Sequence, residues 1–308
     1  MRKVIGLSIA AMLLVAAPIA AMAVQYSEWS TAQKIDEIAG NSSELNTPYL
    51  DGCPIQSPDG LSLYMASNRP GGEGMLDIWV ARRTSTSAPF GDPVNLGQPV
   101  NSAADDFCPT PVRGGGLFFV SREALPGSCG LGDIYFTRFS RTHGWSEPVN
   151  LGCAPDGPNS ALDEQGPSYV KLTGSLYFSR SSGAVPGEIY VSQGIAGGAF
   201  GPAAAVTELN DATANDIQPN VRKDGREVVF SSNRTGTLGA QDVWISVRES
   251  TDDPWSAPVN AGIGVNTAAA ESRPSLSWDA GQLLFGRTPG SEGTLGFGDI
   301  YVSTRIRQ

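Results

Sequence analysis

The sequence has one histidine, His143, and after its first 23 residues it has no long apolar run. His143 lies in a predicted outer turn before Trp145, so the chain offers neither a serine–histidine constellation nor a histidine-rich zinc site. The later apolar runs fall short of the roughly 20 residues that a membrane helix needs. Its glycines mark hairpin turns, and none opens a phosphate-binding loop followed by a helix. We therefore expect no cofactor and no transmembrane segment.

Basic residues are scarce as well. The chain has 21 Lys and Arg against 31 Asp and Glu, a net charge of −10. This balance argues against nucleic acid and anionic membrane surfaces as partners. The 37 Gly and 22 Pro predict frequent turns, while 40% hydrophobic residues are enough for a folded core. These numbers indicate an acidic, turn-rich globular protein.

Residues 1–23 have the pattern of a secretory signal peptide. Arg2 and Lys3 precede a run of 14 mostly apolar residues, and Ala21-Met22-Ala23 fits an A-x-A cleavage site. We predict cleavage near Ala23, a single domain over residues 24–308, and a periplasmic or secreted location.

Three markers recur five times in the same order, which is the mark of an internal repeat. The first is an aromatic residue before Ser or Gly: Trp29, Phe90, Trp145, Phe200 and Trp255, the last four spaced by 55 residues. The second is an acid, a β-branched residue and an aromatic: residues 77–79, 133–135, 188–190, 242–244 and 299–301. The third is an acid three residues before proline: Asp51, Asp106, Glu164, Asp216 and Glu271.

Each repeat shows strand signals bounded by turns. Short runs such as "LSLYMAS" (61–67) and "EVVFSS" (227–232) follow Asp-Gly or Gly-Gly turns. Four strands in a repeat of about 50 residues are typical of a β-propeller blade. The sequence therefore predicts an all-β, five-bladed propeller with four-stranded antiparallel blades.

The first copy of the aromatic marker, at Trp29, has no strands before it, and the last repeat ends at Gln308 without a fourth strand. We predict that the segment around Trp29 supplies the missing strand and closes the ring. Such closure leaves no open sheet edge at the seam.

The stretch 54–83 resembles the WD40-like repeat called PD40, which is shared with the TolB family of periplasmic propellers. The resemblance lies in Ser57-Pro58-Asp59-Gly60, Ser67-Asn68-Arg69 and Asp77-Ile78-Trp79, and residues 220–246 match almost as well. It extends over about residues 26–305 and implies the fold. It implies little about function, because such repeats occur in scaffolds, peptidase appendages and envelope proteins.

The acids before the prolines precede the predicted innermost strands, so we expect them to ring the mouth of the central channel. They could cap turns, or they could bind a ligand or a cation together with Asp105, Asp163 and Tyr169. An Asn stands five or six residues before each acid and suits a turn. An Arg ends each second strand, and we expect Arg69 and its counterparts to pair with the acid of the second marker, such as Asp77.

The four cysteines fall in repeats one to three, on the predicted mouth side. Disulfides are expected in an exported protein. Cys129 with Cys153 is the favoured pair, since both lie in loops. Cys53 with Cys108 requires neighbouring inner strands whose Cα atoms come within about 7 Å.

Two functions remain open from the sequence. The first is a non-enzymatic scaffold that binds an envelope protein, a peptide or a glycan across the acidic face. The second is a glycoside hydrolase with a carboxylate pair at the mouth, for which Asp106, Glu164 and Asp216 are candidates. The regular charges and the missing nucleophile–base pair favour the scaffold.

Overall fold

Each sequence repeat forms one antiparallel sheet, and the five sheets are the blades of a propeller. The computed structural model describes residues 26–125, 127–288 and 298–308. In four of the five sheets strand order follows chain order from the inner to the outer strand, and the fifth sheet takes its outer strand from the beginning of the chain. The inner strand of each blade contacts that of the next, and the inner strands of the last and first blades contact each other. The predicted fold is confirmed.

The strands are short. Blade 1 holds β2 (Asp51–Gln56), β3 (Ser62–Ser67), β4 (Asp77–Arg82) and β5 (Val94–Asn95). Blade 2 holds β6 (Asp106–Val112), β7 (Gly116–Ser121), β8 (Asp133–Ser140), β9 (Gly144–Trp145) and β10 (Val149–Asn150). Blade 3 holds β11 (Asp163–Val170), β12 (Ser175–Ser181), β13 (Glu188–Gly194) and β14 (Phe200–Ala205). Blade 4 holds β15 (Asp216–Val221), β16 (Glu227–Ser232), β17 (Asp242–Val247) and β18 (Val259–Asn260).

Blade 5 contains the predicted seam. Its strands are β19 (Ala270–Leu276), β20 (Gln282–Thr288), β21 (Asp299–Thr304) and, as the fourth, β1 (Gln33–Lys34). Gln33 pairs with Val302 and Lys34 with Tyr301. The Ser30 amide also donates to the Thr304 carbonyl at 2.8 Å. The segment around Trp29 therefore completes the last blade. Three 3-10 turns, Ile35–Glu37, Ser43–Leu45 and Ala196–Gly198, are the helical elements of the described residues.

The apolar core lies between the blades. Central strands such as β16 are buried along their length, because both faces of a blade pack against a neighbour. Phe230 in β16 and Phe285 in β20 are 0% exposed. This explains why the second strand of each repeat reads as a continuous apolar run rather than an alternating one.

The repeated Asn residues tie each blade to the one before it. Asn101, in the entry loop of blade 2, accepts from the Ile78 amide at 2.8 Å and donates to the Ile78 carbonyl at 3.0 Å, in β4 of blade 1. The same pair of bonds recurs from Asn46, Asn159, Asn210 and Asn266. Asn46 bonds Ile300 of blade 5, so this clamp also crosses the seam. The sequence predicted a local turn bond, whereas these side chains join neighbouring blades.

Each inner strand bends at one residue with positive φ, directly before its proline. Cys53, Cys108, Gln218 and Arg273 have φ between 48° and 57°, and Gly166 has 60°. The strand pairing shifts register at this point in every blade. These five residues line the central channel.

The channel has two ends. The entry loops into the inner strands and the loops between the second and third strands lie at one end, which we call the mouth face, and backbone bridges such as Leu76 to Asp105 join them there. The first hairpin turns and the loops after the third strands lie on the opposite face. In the described residues no helix is long and apolar enough to cross a membrane.

Candidate functional site

The five acids of the predicted ring lie inside the protein. Asp51 is 1% exposed, and Asp106, Glu164, Asp216 and Glu271 are 0% exposed. Each accepts a backbone N–H from a residue four or five positions earlier, at 2.5 to 3.1 Å: Thr47, Ser102, Ser160, Asp211 and Thr267. These bonds close the entry loop of each blade, which matches the turn-capping interpretation.

Four of the five acids also pair with the arginine of their own blade. The pairs are Asp51–Arg69, Glu164–Arg180, Asp216–Arg234 and Glu271–Arg287. The sequence predicted that Arg69 pairs with Asp77. This prediction is wrong, because Arg69 pairs with Asp51. Asp77 instead accepts the amides of Glu73 and Gly74 at 2.6 and 3.2 Å and so closes the glycine-rich loop by itself.

Whether the acid is Asp or Glu correlates with the position of the arginine in the second strand of the blade. In blades 3 and 5 the acid is Glu, and the Arg is its direct partner across the strand pair, as in Glu164 with Arg180. In blades 1 and 4 the acid is Asp, its partner is Ser, and the Arg comes two residues later, as in Asp216, Ser232 and Arg234. Side chains two residues apart project to the same side of an extended chain. Both arrangements therefore bring the guanidinium to the acid.

Blade 2 departs from both arrangements. Asp106 pairs with Ser121, as in the other Asp blades, but the arginine is the next residue, Arg122. A one-residue offset sends a side chain to the other side of the strand. The position two residues after Ser121 is occupied by Glu123. Asp106 consequently lacks its arginine, and Arg122 projects to the mouth face.

Arg122 forms an ion-pair triad with two acids that stand beside the ring. Its Nη1 lies 3.0 Å from Asp105 Oδ2, and its Nη2 lies 2.7 Å from Asp163 Oδ2. Its side chain is 36% exposed, against 10% for Arg234. Gly132 makes room for the triad, since a Cβ there would fall 2.2 Å from Asp163 Oδ1. The predicted site residues Asp105 and Asp163 are thus brought together by an arginine that sequence reasoning had assigned elsewhere.

Asp106, which has no arginine partner, has a raised pKa. Its Oδ2 accepts the amide and hydroxyl of Ser102 at 2.5 and 2.7 Å, while its buried Oδ1 makes no regular hydrogen bond with the described residues. Burial raises its pKa to about 6, and the Ser102 and Ser121 hydroxyls offset this only in part. Burial also raises the pKa of Glu164, where Ser160 and Arg180 oppose it.

The channel itself is nearly filled. Its bend residues, which include the disulfide-bonded Cys53 and Cys108, leave a cavity of about 30 Å³. This volume has room for about two water molecules and for no sugar ring. The pKa of Arg273 is lowered to about 10, first by burial and then by the charge of Arg122. At the opposite end Trp278 lies under Arg113 and Lys223, at 4.8 and 5.1 Å from its ring centre. The channel is therefore not a deep pocket.

The favoured disulfide forms, and so does the second one, because the inner strands of blades 1 and 2 meet the distance that it requires. Cys129 and Cys153 join the second loop of blade 2 to the entry loop of blade 3, with Cα atoms 5.5 Å apart. Cys53 and Cys108 bridge the inner strands of blades 1 and 2, with Cα atoms 5.0 Å apart. Both bridges involve blade 2.

Other candidates lie away from the mouth. Tyr169 packs between blades against Phe118 and Phe200, at ring distances of 5.4 and 6.0 Å, and does not face the channel. His143 is exposed on the outer turn and contacts Thr142. Among the described residues, no three His, Cys, Asp or Glu side chains are placed to hold a metal ion. The cation that the sequence left open at the mouth therefore has no ligand set within the described residues.

No family model and no curated protein matches the chain. Among solved structures, TolB from Acinetobacter baumannii is 14% identical with a TM-score of 0.48, over 85% of this chain and 55% of that chain. The present chain thus spans about half the length of that TolB. A thermostable family-43 glycoside hydrolase is 12% identical with a TM-score of 0.55, over 87% and 92% of the two chains. A GH43_12 protein from a capybara gut metagenome is 13% identical with a TM-score of 0.56, over 89% and 55%.

At these identities the hydrolase structures show a shared fold and carry no information about the reaction. TolB is among the similar structures, and the PD40 repeat assignment stays a prediction.

Proposed function

We propose that this chain is an exported, non-enzymatic propeller that binds a partner protein, peptide or glycan across its mouth face. The observation that carries the proposal is how the acids are used. The ring acids are buried in bonds to their own blade, and the two acids beside the ring, the partly exposed Asp105 and the buried Asp163, share the partly exposed Arg122. The acidic face is therefore arranged for binding rather than for proton transfer.

Among its described residues, the mouth face lacks the carboxyl arrangement that glycoside hydrolysis requires. The reaction needs two reachable carboxyl groups, roughly 5–10 Å apart, one of them protonated. Asp106 has the raised pKa but is 0% exposed. Glu164 and Asp216 are buried and paired with Arg180 and Arg234. Asp105 and Asp163 are both ion-paired with Arg122, and Asp163 is also buried.

Export is the second part of the proposal. The predicted signal peptide lies outside the described residues. All four cysteines are in disulfides, and disulfides persist in oxidising compartments such as the periplasm and the extracellular space. Cell fractionation of the chain expressed with its own leader, with the mass of the exported form, tests this part.

The binding part is tested by site-specific cross-linking. A photoreactive amino acid is placed at Met75 or Leu238, which are exposed in mouth-face loops, and at Val149 on an outer blade edge. We expect adducts with a protein or glycan from a mouth position and none from Val149. The same chain should release no sugar from aryl arabinosides and xylosides. Hydrolysis that disappears in Asp105→Asn or Asp163→Asn would replace the scaffold with an enzyme.

A further inference from the structure

Two exposed apolar side chains flank the triad on the mouth face. Met75 is 67% exposed in the second loop of blade 1, and Leu131 is 59% exposed in the second loop of blade 2. Single exposed apolar residues are common on surfaces, whereas larger apolar patches rimmed by polar residues mark interaction sites. Their relation to the triad therefore decides what they mean.

Backbone bonds hold each apolar residue next to one acid of the triad. The Met75 amide donates to the Ala104 carbonyl at 3.0 Å, directly before Asp105. The Leu131 amide donates to the Leu162 carbonyl at 3.1 Å, directly before Asp163. Met75 and Leu131 therefore lie beside the two ends of the triad, and the surface that they form with Asp105 and Arg122 extends over blades 1 to 3, with Asp163 buried beneath it.

This surface is fixed before any partner arrives. The Asp106 amide donates to the Leu76 carbonyl at 2.7 Å, and the Glu164 amide to the Gly132 carbonyl at 2.8 Å, so both loops are bonded on each side of the apolar residue. The Cys129–Cys153 disulfide stands two residues before Leu131. A preordered surface loses little conformational entropy when it binds.

Charge selects the kind of partner. The four loops that build the surface, residues 68–76, 96–105, 122–132 and 151–163, contain five acids, Glu73, Asp105, Glu123, Asp156 and Asp163. Their bases are Arg122 and Arg69, and Arg69 is buried against Asp51. Asp163 is buried as well, so the accessible charge is −3. Within the described residues Asp105 Oδ1 accepts no hydrogen bond, so an acceptor remains open beside Met75.

The loops contain no aromatic residue on which a sugar ring could stack. We propose that Met75, Leu131 and the triad form a docking site for a protein segment that carries a lysine or arginine beside aliphatic side chains. The cation would bind at Asp105, and the aliphatic groups would cover Met75 and Leu131. This inference rests on the proposed scaffold function and names the partner of that surface.

The test uses twelve-residue peptides displayed on phage and selected on the immobilised, exported chain. We expect the selected peptides to carry Lys or Arg next to Leu, Ile or Val. Affinity of a synthetic selected peptide should fall about tenfold in Met75→Ser/Leu131→Ser. It should fall severalfold in Asp105→Asn and also when salt is raised.

Matched control variants distinguish binding at this surface from non-specific hydrophobic or electrostatic binding. Val149 and Val259 are 63% and 66% exposed on outer edges, so Val149→Ser/Val259→Ser removes similar apolar exposure away from the mouth. Asp252→Asn removes an exposed charge from the opposite face. Neither should change binding. Unchanged thermal unfolding of each variant shows that it is folded.

The inference is overturned if no peptide is selected, if the peptides are acidic or uncharged, or if Met75→Ser/Leu131→Ser binds as well as the original chain. Mouth-face adducts in the cross-linking experiment would then still uphold the scaffold function. Loss of those adducts, or sugar release, would overturn the scaffold function itself.

Discussion

Blades 2 and 4 begin alike and end differently. In both, a buried aspartate pairs across the inner strands with a serine, Asp106 with Ser121 and Asp216 with Ser232. In both, the serine Oγ accepts the amide two residues later, at 3.2 and 3.1 Å. In blade 4 that later residue is Arg234, which pairs with Asp216, whereas in blade 2 it is Glu123.

The comparison teaches that a one-residue offset can turn a structural charge into a surface charge. Arg234 is buried between its aspartate and the Leu209 carbonyl. Arg122, one position earlier relative to the serine, joins Asp105 and Asp163 at the mouth. Blade 2 keeps the same aspartate–serine strand pair and the same serine–amide bond as blade 4.

Blade 2 also carries an end of both disulfides. Cys108 is two residues from Asp106, and Cys129 lies in the loop that follows Arg122. A disulfide typically contributes about 2–4 kcal/mol to the free energy of unfolding. The cross-links therefore reinforce the blade that lacks the buried ion pair.

The largest difference between the blades should appear when each arginine is removed. Arg234→Met leaves the buried Asp216 charge without its partner, and we expect the free energy of unfolding to fall by about 3–5 kcal/mol. Arg122 is partly exposed, and Asp163 keeps a hydrogen bond from Gln165 at 2.7 Å, so Arg122→Met should cost less than Arg234→Met. Urea unfolding at pH 7 measures both.

A double variant is the control for the loss of the Asp216–Arg234 ion pair. Asp216→Asn combined with Arg234→Met removes the stranded charge, so it should recover part of the lost stability. Equal losses for Arg122→Met and Arg234→Met would contradict the assignment of Arg122 to the surface.

The sequence was sufficient for the fold because its markers are periodic and independent. The terminal position of the Trp29 motif predicted the seam, and equivalent repeat positions brought Cys53 to Cys108. The partner of Arg69 was predicted wrongly. Asp51 and Asp77 both lie near the end of that hairpin, and only the three-dimensional path of the entry loop brings Asp51 under the guanidinium.

The binding surface was predicted only in part. Asp105 and Asp163 could be selected because they stand beside the repeated acids. Met75 and Leu131 could not, because exposure of an apolar residue is a property of the assembled loops. The offset of Arg122 is visible in the sequence, as Ser-Arg instead of Ser-Asn-Arg, and it acquires meaning once the strand register is known.

The pH dependence of stability should distinguish Asp106 from the arginine-paired acids. Its folded pKa of about 6 lies above the ordinary value of 3.8, so the folded state holds the proton more tightly. Stability from this group is full below pH 4 and is lost as the pH rises through 6, by about 3 kcal/mol. Asp106→Asn cannot lose a proton there.

Unfolding free energies from pH 4 to pH 8 check this prediction. Relative to the original chain, D106N should gain stability as the pH rises and reach its full gain above pH 7. D216N serves as the matched variant, because it loses the Arg234 ion pair and should be destabilised at neutral pH. Parallel pH profiles for D106N and the original chain would rule out the raised pKa.

The prediction with the smallest expected effect tests whether one substitution can give blade 2 the buried aspartate–arginine pair of blade 4. Glu123→Arg places a guanidinium two residues after Ser121, whose Oγ already accepts the amide of residue 123. The new side chain should pair with Asp106, stabilise the protein by about 2 kcal/mol at pH 7 and flatten the pH dependence between 4 and 6. Glu123→Met, of similar length and without charge, controls for the loss of Glu123 itself. Because Leu125 packs against the apolar cluster that contains Tyr135, a gain from Met equal to that from Arg would mean that blade 2 lacks apolar packing rather than the ion pair.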